Sequence, residues 1–182
     1  MMNPCLSDVF RQAVNWEEIV YSLFMFLHVI GVFGFLMAHG VSAGVAFALR
    51  SERDLEHVRA LLMLSARSYP VMYGSLALLV LVGVVLGFMG SWWGRGWIWL
   101  SLILLIAIIA IMGRFGSRLY GEARQAVGLP VYANRNKPEP VGQPAGAAAI
   151  DAALSKGNPL LLTGIGFGGI AIIAWLMMFK PF

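Results

Sequence analysis

The chain is predicted to be an all-α polytopic membrane protein, a four-transmembrane-helix bundle forming one membrane domain over residues 1–182. Two observations carry this. Of its 182 residues, 59% are hydrophobic and only 12% charged, against roughly 25% charged in soluble domains, and the mean hydropathy is +0.78. The apolar residues also gather into four runs, at about 21–49, 71–90, 98–113 and 160–179, near the roughly 20 residues that a helix needs to cross a bilayer.

The first run, Tyr21 to Arg50, contains no Asp, Glu or Lys, and its sole Arg is terminal. At about 1.5 Å per residue it outruns a hydrocarbon core of roughly 30 Å, so the helix should continue past the bilayer. Ahead of it, Leu6, Val9, Phe10 and Ala13 recur at helical spacing, with Ser7 or Asp8 near the start and Trp16 following. That pattern fits a short helix on the membrane surface or a frayed terminus. Cys5 is the sole cysteine, which excludes an intrachain disulfide, and with no apolar segment before it a cleaved signal or lipoprotein is not expected.

Between the first two runs, Leu55, Val58, Leu61, Leu62 and Met63 alternate with charges, as expected for a helical extension with one wet face. Arg53 and His57 lie one turn apart there, and His57 reads as a solvated side chain. The second run is entered through Tyr69-Pro70, where proline suits the first turn of a helix. Gly83 and Gly87 give it a small face for close contact. Trp92, Trp93, Trp97 and Trp99 follow and mark one interface, because indoles settle at headgroup level.

The third run should end at Gly113, before Arg114 and Arg118. From 128 to 158 the composition turns rich in Pro, Gly and Ala. Its proline-rich half reads as a loop, Ala145 to Leu154 as a short helix ended by Gly157, and Asn158-Pro159 as a cap and first turn. In the fourth run Gly164 and Gly168 share a face, which predicts tight packing through those two glycines.

The formal charge is +4, yet ten of the thirteen basic residues fall in the two segments flanking the second and third runs. This is a topology signal, and no nucleic-acid partner is expected. Both basic segments should be cytoplasmic and both termini outside, in the inner membrane of a bacterium.

His28 and His39 are eleven positions apart, within about 20° of one helix face and roughly 16 Å apart in depth. Ionisable groups inside a membrane are functional candidates, and imidazole is a common axial ligand of haem iron. Both are therefore candidate cofactor-binding residues, and His28 is also the candidate metal ligand. Level with His28 on the antiparallel helices lie Val80 to Val82, Leu105 to Ala107 and Gly169 to Ala171, none of which ligates. Level with His39 lie Tyr69, Met72, Tyr73 and Met112, which allow a His/Met or His/Tyr site or a plain hydrogen bond to a tyrosine. A neutral histidine packed between helices is the alternative for each. The ten methionines raise copper handling, since thioethers favour it, although methionine is also ordinary filling. No catalytic set is visible.

Leu27-His28-Val29-Ile30-Gly31, the basic stretch Arg50 to Arg67, Gly96-Trp97-Ile98-Trp99 and the closing Met178-Phe179-Lys180-Pro181-Phe182 resemble a bacterial family of four-helix integral membrane proteins of unknown function. That family is related to the membrane domain of copper-resistance D proteins and to the haem-containing bacterial protoporphyrinogen oxidase. The resemblance covers nearly the whole chain except the proline-rich loop. It implies haem b at His28. It also implies a lysine early in the third helix, where this chain has Ser101, which cannot supply a positive charge; whether the chain is an enzyme therefore stays open. The expected role is a structural or accessory membrane component, with a b-type haem redox protein using His28 as the alternative and copper handling as a second one. The expected partners are the lipid bilayer and a second copy or another membrane protein.

Overall fold

The computed structural model describes residues 16–131 and 142–182. The surface helix expected before Val14 and most of the proline-rich loop lie outside the described residues, as does Cys5. The described residues form five helices: α1 Trp16–Ala48, α2 Leu55–Met89, α3 Gly96–Ala126, α4 Ala147–Ser155 and α5 Pro159–Phe179, with a single 3-10 turn at Trp92–Gly94. Among them there is no strand. Four segments, α1, α2, α3 and Ala147–Phe179, are long and apolar enough to cross a membrane.

The helices overrun the apolar runs that announce them. α2 starts at Leu55, capped by Asp54, whose carboxylate accepts from His57 N at 2.9 Å. Pro70 thus lies inside a helix and not at its first turn. Proline removes one amide donor and leaves the Ala66 carbonyl without its in-helix partner, a defect that membrane helices accommodate. α3 likewise passes Arg114 and Arg118 and stops at Ala126, followed by Gly128 at φ +72°, where only glycine is unstrained. The start of α5 is as expected: Asn158 accepts from Leu161 N at 3.2 Å, and Pro159 occupies the first turn.

α1 packs along α2 and α3 along α5, while α4 lies on α3; the two long pairs meet where α1 touches α5 and α2 touches α3. The bundle therefore has two ends. At the tryptophan end, the Trp92 and Trp97 rings pack tilted with centres 5.7 Å apart, and Lys180 Nζ sits 4.2 Å from the centre of the Trp92 ring. At the arginine end the helix extensions build the main core: Val45, Leu49, Val58, Leu62, Ala123, Val127 and Leu154 are all buried together. Between the ends, most large side chains, such as Phe26, Phe33, Leu81, Ile103 and Ile106, point outward, as lipid-facing residues would.

Close helix contact is set by other glycines than the expected pair. Gly164 and Gly168 have nothing within 4 Å of an added Cβ. On α5 the crowded glycines are Gly166, against His39, and Gly169, against Ile108. On α1, a Cβ at Gly31 would come within 3.0 Å of the Leu79 backbone nitrogen. Gly83 and Gly87 on α2 do serve close packing, but they admit the rings of His28 and Trp93.

Candidate functional site

The two membrane histidines part company. α1 carries both on nearly one face, yet the His28 ring turns to α2 and the His39 ring to α5. His28 Nδ1 lies 2.9 Å from the Leu79 carbonyl oxygen. A carbonyl can only accept, so the proton resides on Nδ1 and the neutral ring keeps its lone pair on Nε2. Gly83 makes room for the ring, with an added Cβ 3.0 Å from His28 Cε1. Depth counting puts His28 level with the right turn of α2, and what α2 offers there is a carbonyl and no ligating side chain.

His39 is 7% exposed. Phe35 stacks parallel to it at 5.8 Å, Phe167 packs tilted at 5.1 Å, and its Nε2 abuts Gly166. That nitrogen is buried and has no hydrogen-bond partner among the described residues. Of the arrangements the sequence allowed for His39, the tyrosine hydrogen bond is not formed among the described residues. Tyr69 and Tyr73 lie beside each other on α2 instead, with ring centres 6.4 Å apart.

A polar seam just beyond His39, toward the arginine end, was not anticipated. Ser42 of α1 lies 3.3 Å from both Ser65 and Ser68 of α2, hydroxyl to hydroxyl. Tyr120 of α3 donates its hydroxyl to the Ser42 carbonyl. Farther out, Arg124 donates to the carbonyls of Pro130 at 2.9 Å and Leu62 at 3.4 Å, and Arg59 donates to that of Val127 at 3.0 Å. Three helices are thereby tied together. The signal was available: Ser42, Ser65 and Ser68 fall at buried or half-buried helical positions, but serine in a membrane span is common enough to pass unremarked.

At the surface of the same end, His57 is solvated as expected, 3.5 Å from Glu52. Glu52 accepts from the amides of Asp54 at 2.9 Å and Arg53 at 2.8 Å, which holds its carboxyl below the ordinary glutamate range. Arg53 pairs with Asp151 at 2.6 Å and Lys156 with Glu122 at 3.2 Å, each pinning α4 or its exit to the bundle. Ser101, at the position where the resemblance implies a lysine, is buried and donates to the Trp97 carbonyl of its own helix at 2.8 Å. Among the described residues no three His, Cys, Asp or Glu side chains gather as a metal site.

Compared with known proteins, the chain matches no family model, no curated protein and no solved structure.

Proposed function

We propose that this chain is an accessory integral component of a bacterial cytoplasmic membrane, whose buried polar groups serve to hold its own helices together. The observation that carries the reading is the seam: the hydroxyls of Ser42, Ser65, Ser68 and Tyr120 and the guanidinium groups of Arg59 and Arg124 bond to one another or to backbone carbonyls of neighbouring segments. Groups so engaged act as interhelical ties. The arginine distribution favours a cytoplasmic arginine end, with both termini outside. An accessory component should co-migrate on native gels with a stoichiometric second protein and be needed for that protein's level. Migration as a lone chain, with no partner affected by its deletion, would argue against the reading.

A second reading, haem binding, is favoured by one observation at His28. Metal-bound histidines usually donate their other ring N–H to a carbonyl or carboxylate, which fixes the tautomer. His28 meets that condition through Leu79, leaving Nε2 free to ligate. A haem held there would supply one-electron redox chemistry, with Ser101 contributing no charge. Absorption spectra of the purified protein, oxidised and reduced, separate the two readings. A Soret band lost in His28→Ala and kept in His39→Ala would establish the haem; a colourless, folded protein leaves the accessory reading.

A further inference from the structure

The outward face of α3 ends in two exposed cations, Arg114 and Arg118. Ile111, Arg114, Phe115 and Arg118 fall three, four and seven positions apart and are all exposed, which places them on one helix face. Ile103 and Ala107, also exposed, extend that face toward the tryptophan end. The packed side of the helix adjoins this face: Ile108, three positions before Ile111, meets Gly169.

Four of the other cations at this end are engaged within the protein, whereas Arg50 and Arg67 are exposed like Arg114 and Arg118. Arg53, Arg59 and Lys156 each have a carboxylate partner, and Arg124 is bonded to carbonyls. Among the described residues, neither Arg114 nor Arg118 has an acidic partner or an acceptor for its side chain. Their depth is also particular. At about 1.5 Å per residue, Arg114 lies about 27 Å and Arg118 about 33 Å from the start of α3, on either side of the edge of a hydrocarbon core roughly 30 Å thick.

We infer that this face of α3 is a binding site for an anionic phospholipid, with the acyl chains along Ile103, Ala107 and Ile111 and the headgroup phosphate between Arg114 and Arg118. The face presents, in order along one helix, an apolar track and then paired guanidinium groups at the hydrocarbon edge, which matches a lipid's tail and phosphate. Guanidinium suits this because it binds phosphate through parallel N–H bonds and is weakly hydrated. A partner helix would instead have to bring carboxylates to that same depth, where they are costly. The inference is independent of the accessory and haem readings.

The test uses the full chain in a neutral detergent, titrated with phosphatidylglycerol or with phosphatidylcholine of the same acyl composition, with bound lipid read by native mass spectrometry. Phosphatidylglycerol should bind more tightly. R114Q/R118Q should weaken it about twenty-five-fold, about fivefold for each arginine, with phosphatidylcholine binding unchanged. R50Q/R95Q, which removes the same charge elsewhere, should leave phosphatidylglycerol binding intact. Equal losses in the two double variants, or no preference between the lipids, would overturn the site. If R114Q/R118Q does not fold, a photoreactive residue at Phe115 of the otherwise unaltered chain decides: adducts with phosphatidylglycerol support the site, and adducts with a second copy or another protein refute it.

Discussion

Gly166 is the glycine on which His39 rests: the imidazole Nε2 abuts the α5 backbone there, and Phe35 and Phe167 both pack against the ring. A methyl group at 166 would overlap a ring that has little room to retreat. Gly166→Ala should therefore cost about 1–3 kcal/mol, the usual range for overpacking. Gly31→Ala should do at least as much harm, because it meets the Leu79 backbone. Gly164→Ala and Gly168→Ala should be neutral or stabilising, since alanine favours a helix by up to about 1 kcal/mol over glycine. Unfolding of the four variants in mixed micelles ranks them; equal costs would mean that α5 packs through its other face.

His39 itself should be dispensable for stability. Its Nε2 is buried without a partner among the described residues, and a polar atom in that state costs about 1–3 kcal/mol, which an apolar side chain of similar size avoids. His39→Leu is expected to melt at or above the temperature of the parent protein. A markedly lower melting temperature would indicate that Nε2 is satisfied in the membrane by a group from outside the chain.

The docking of α4 should rest on burial and little on its ion pairs. Leu154 is 3% exposed in the arginine-end core, so Leu154→Ala should cost about 2–5 kcal/mol. Arg53 and Asp151 are 45% and 57% exposed in their pair, and Asp151→Asn should change stability by less than about 1 kcal/mol. Chemical denaturation of both variants gives the comparison, and a larger loss for Asp151→Asn would reverse the assignment.

Glu52 makes the turn between α1 and α2 sensitive to acid. Its folded carboxyl titrates below the ordinary value, chiefly because it accepts the Asp54 amide and then the Arg53 amide. The stabilisation is thus complete above about pH 4.3, the unperturbed glutamate value, and is lost as pH falls through the lower folded value. Hydrogen exchange at the Arg53 and Asp54 amides, corrected for intrinsic rates, should lose protection on acidification in that window. In Glu52→Gln that pH dependence should vanish.

The four crossings were legible in the sequence because lipid imposes a crude and unmistakable signal, long runs without charge. The helix ends were not. Pro70 reads as a start and Arg114 as a stop only if a helix finishes where the bilayer does, whereas here Leu62, Ala123 and Val127 form a core beyond it that sustains both helices. The glycine face on α5 was misplaced for a related reason. Spacing alone gives Gly164–Gly168 and hides Gly166–Gly169, since which side of a helix meets its neighbour depends on where α1 and α3 stand. The level of His28 could be counted from chain geometry, but its bond to the Leu79 carbonyl could not, because a backbone oxygen leaves no mark in the sequence.

The Tyr120 hydroxyl, donated to the Ser42 carbonyl, carries the claim that the polar seam is a set of ties between helices. The most direct measurement is the unfolding free energy of Tyr120→Phe against the parent protein in a lipid bilayer. Interhelical hydrogen bonds in membranes average about 0.6 kcal/mol and reach about 1.7 kcal/mol, and a loss within that span is expected, with Ser65→Ala adding less than its separate effect because the two share Ser42. An unfolding free energy for Tyr120→Phe equal to that of the parent would contradict the claim.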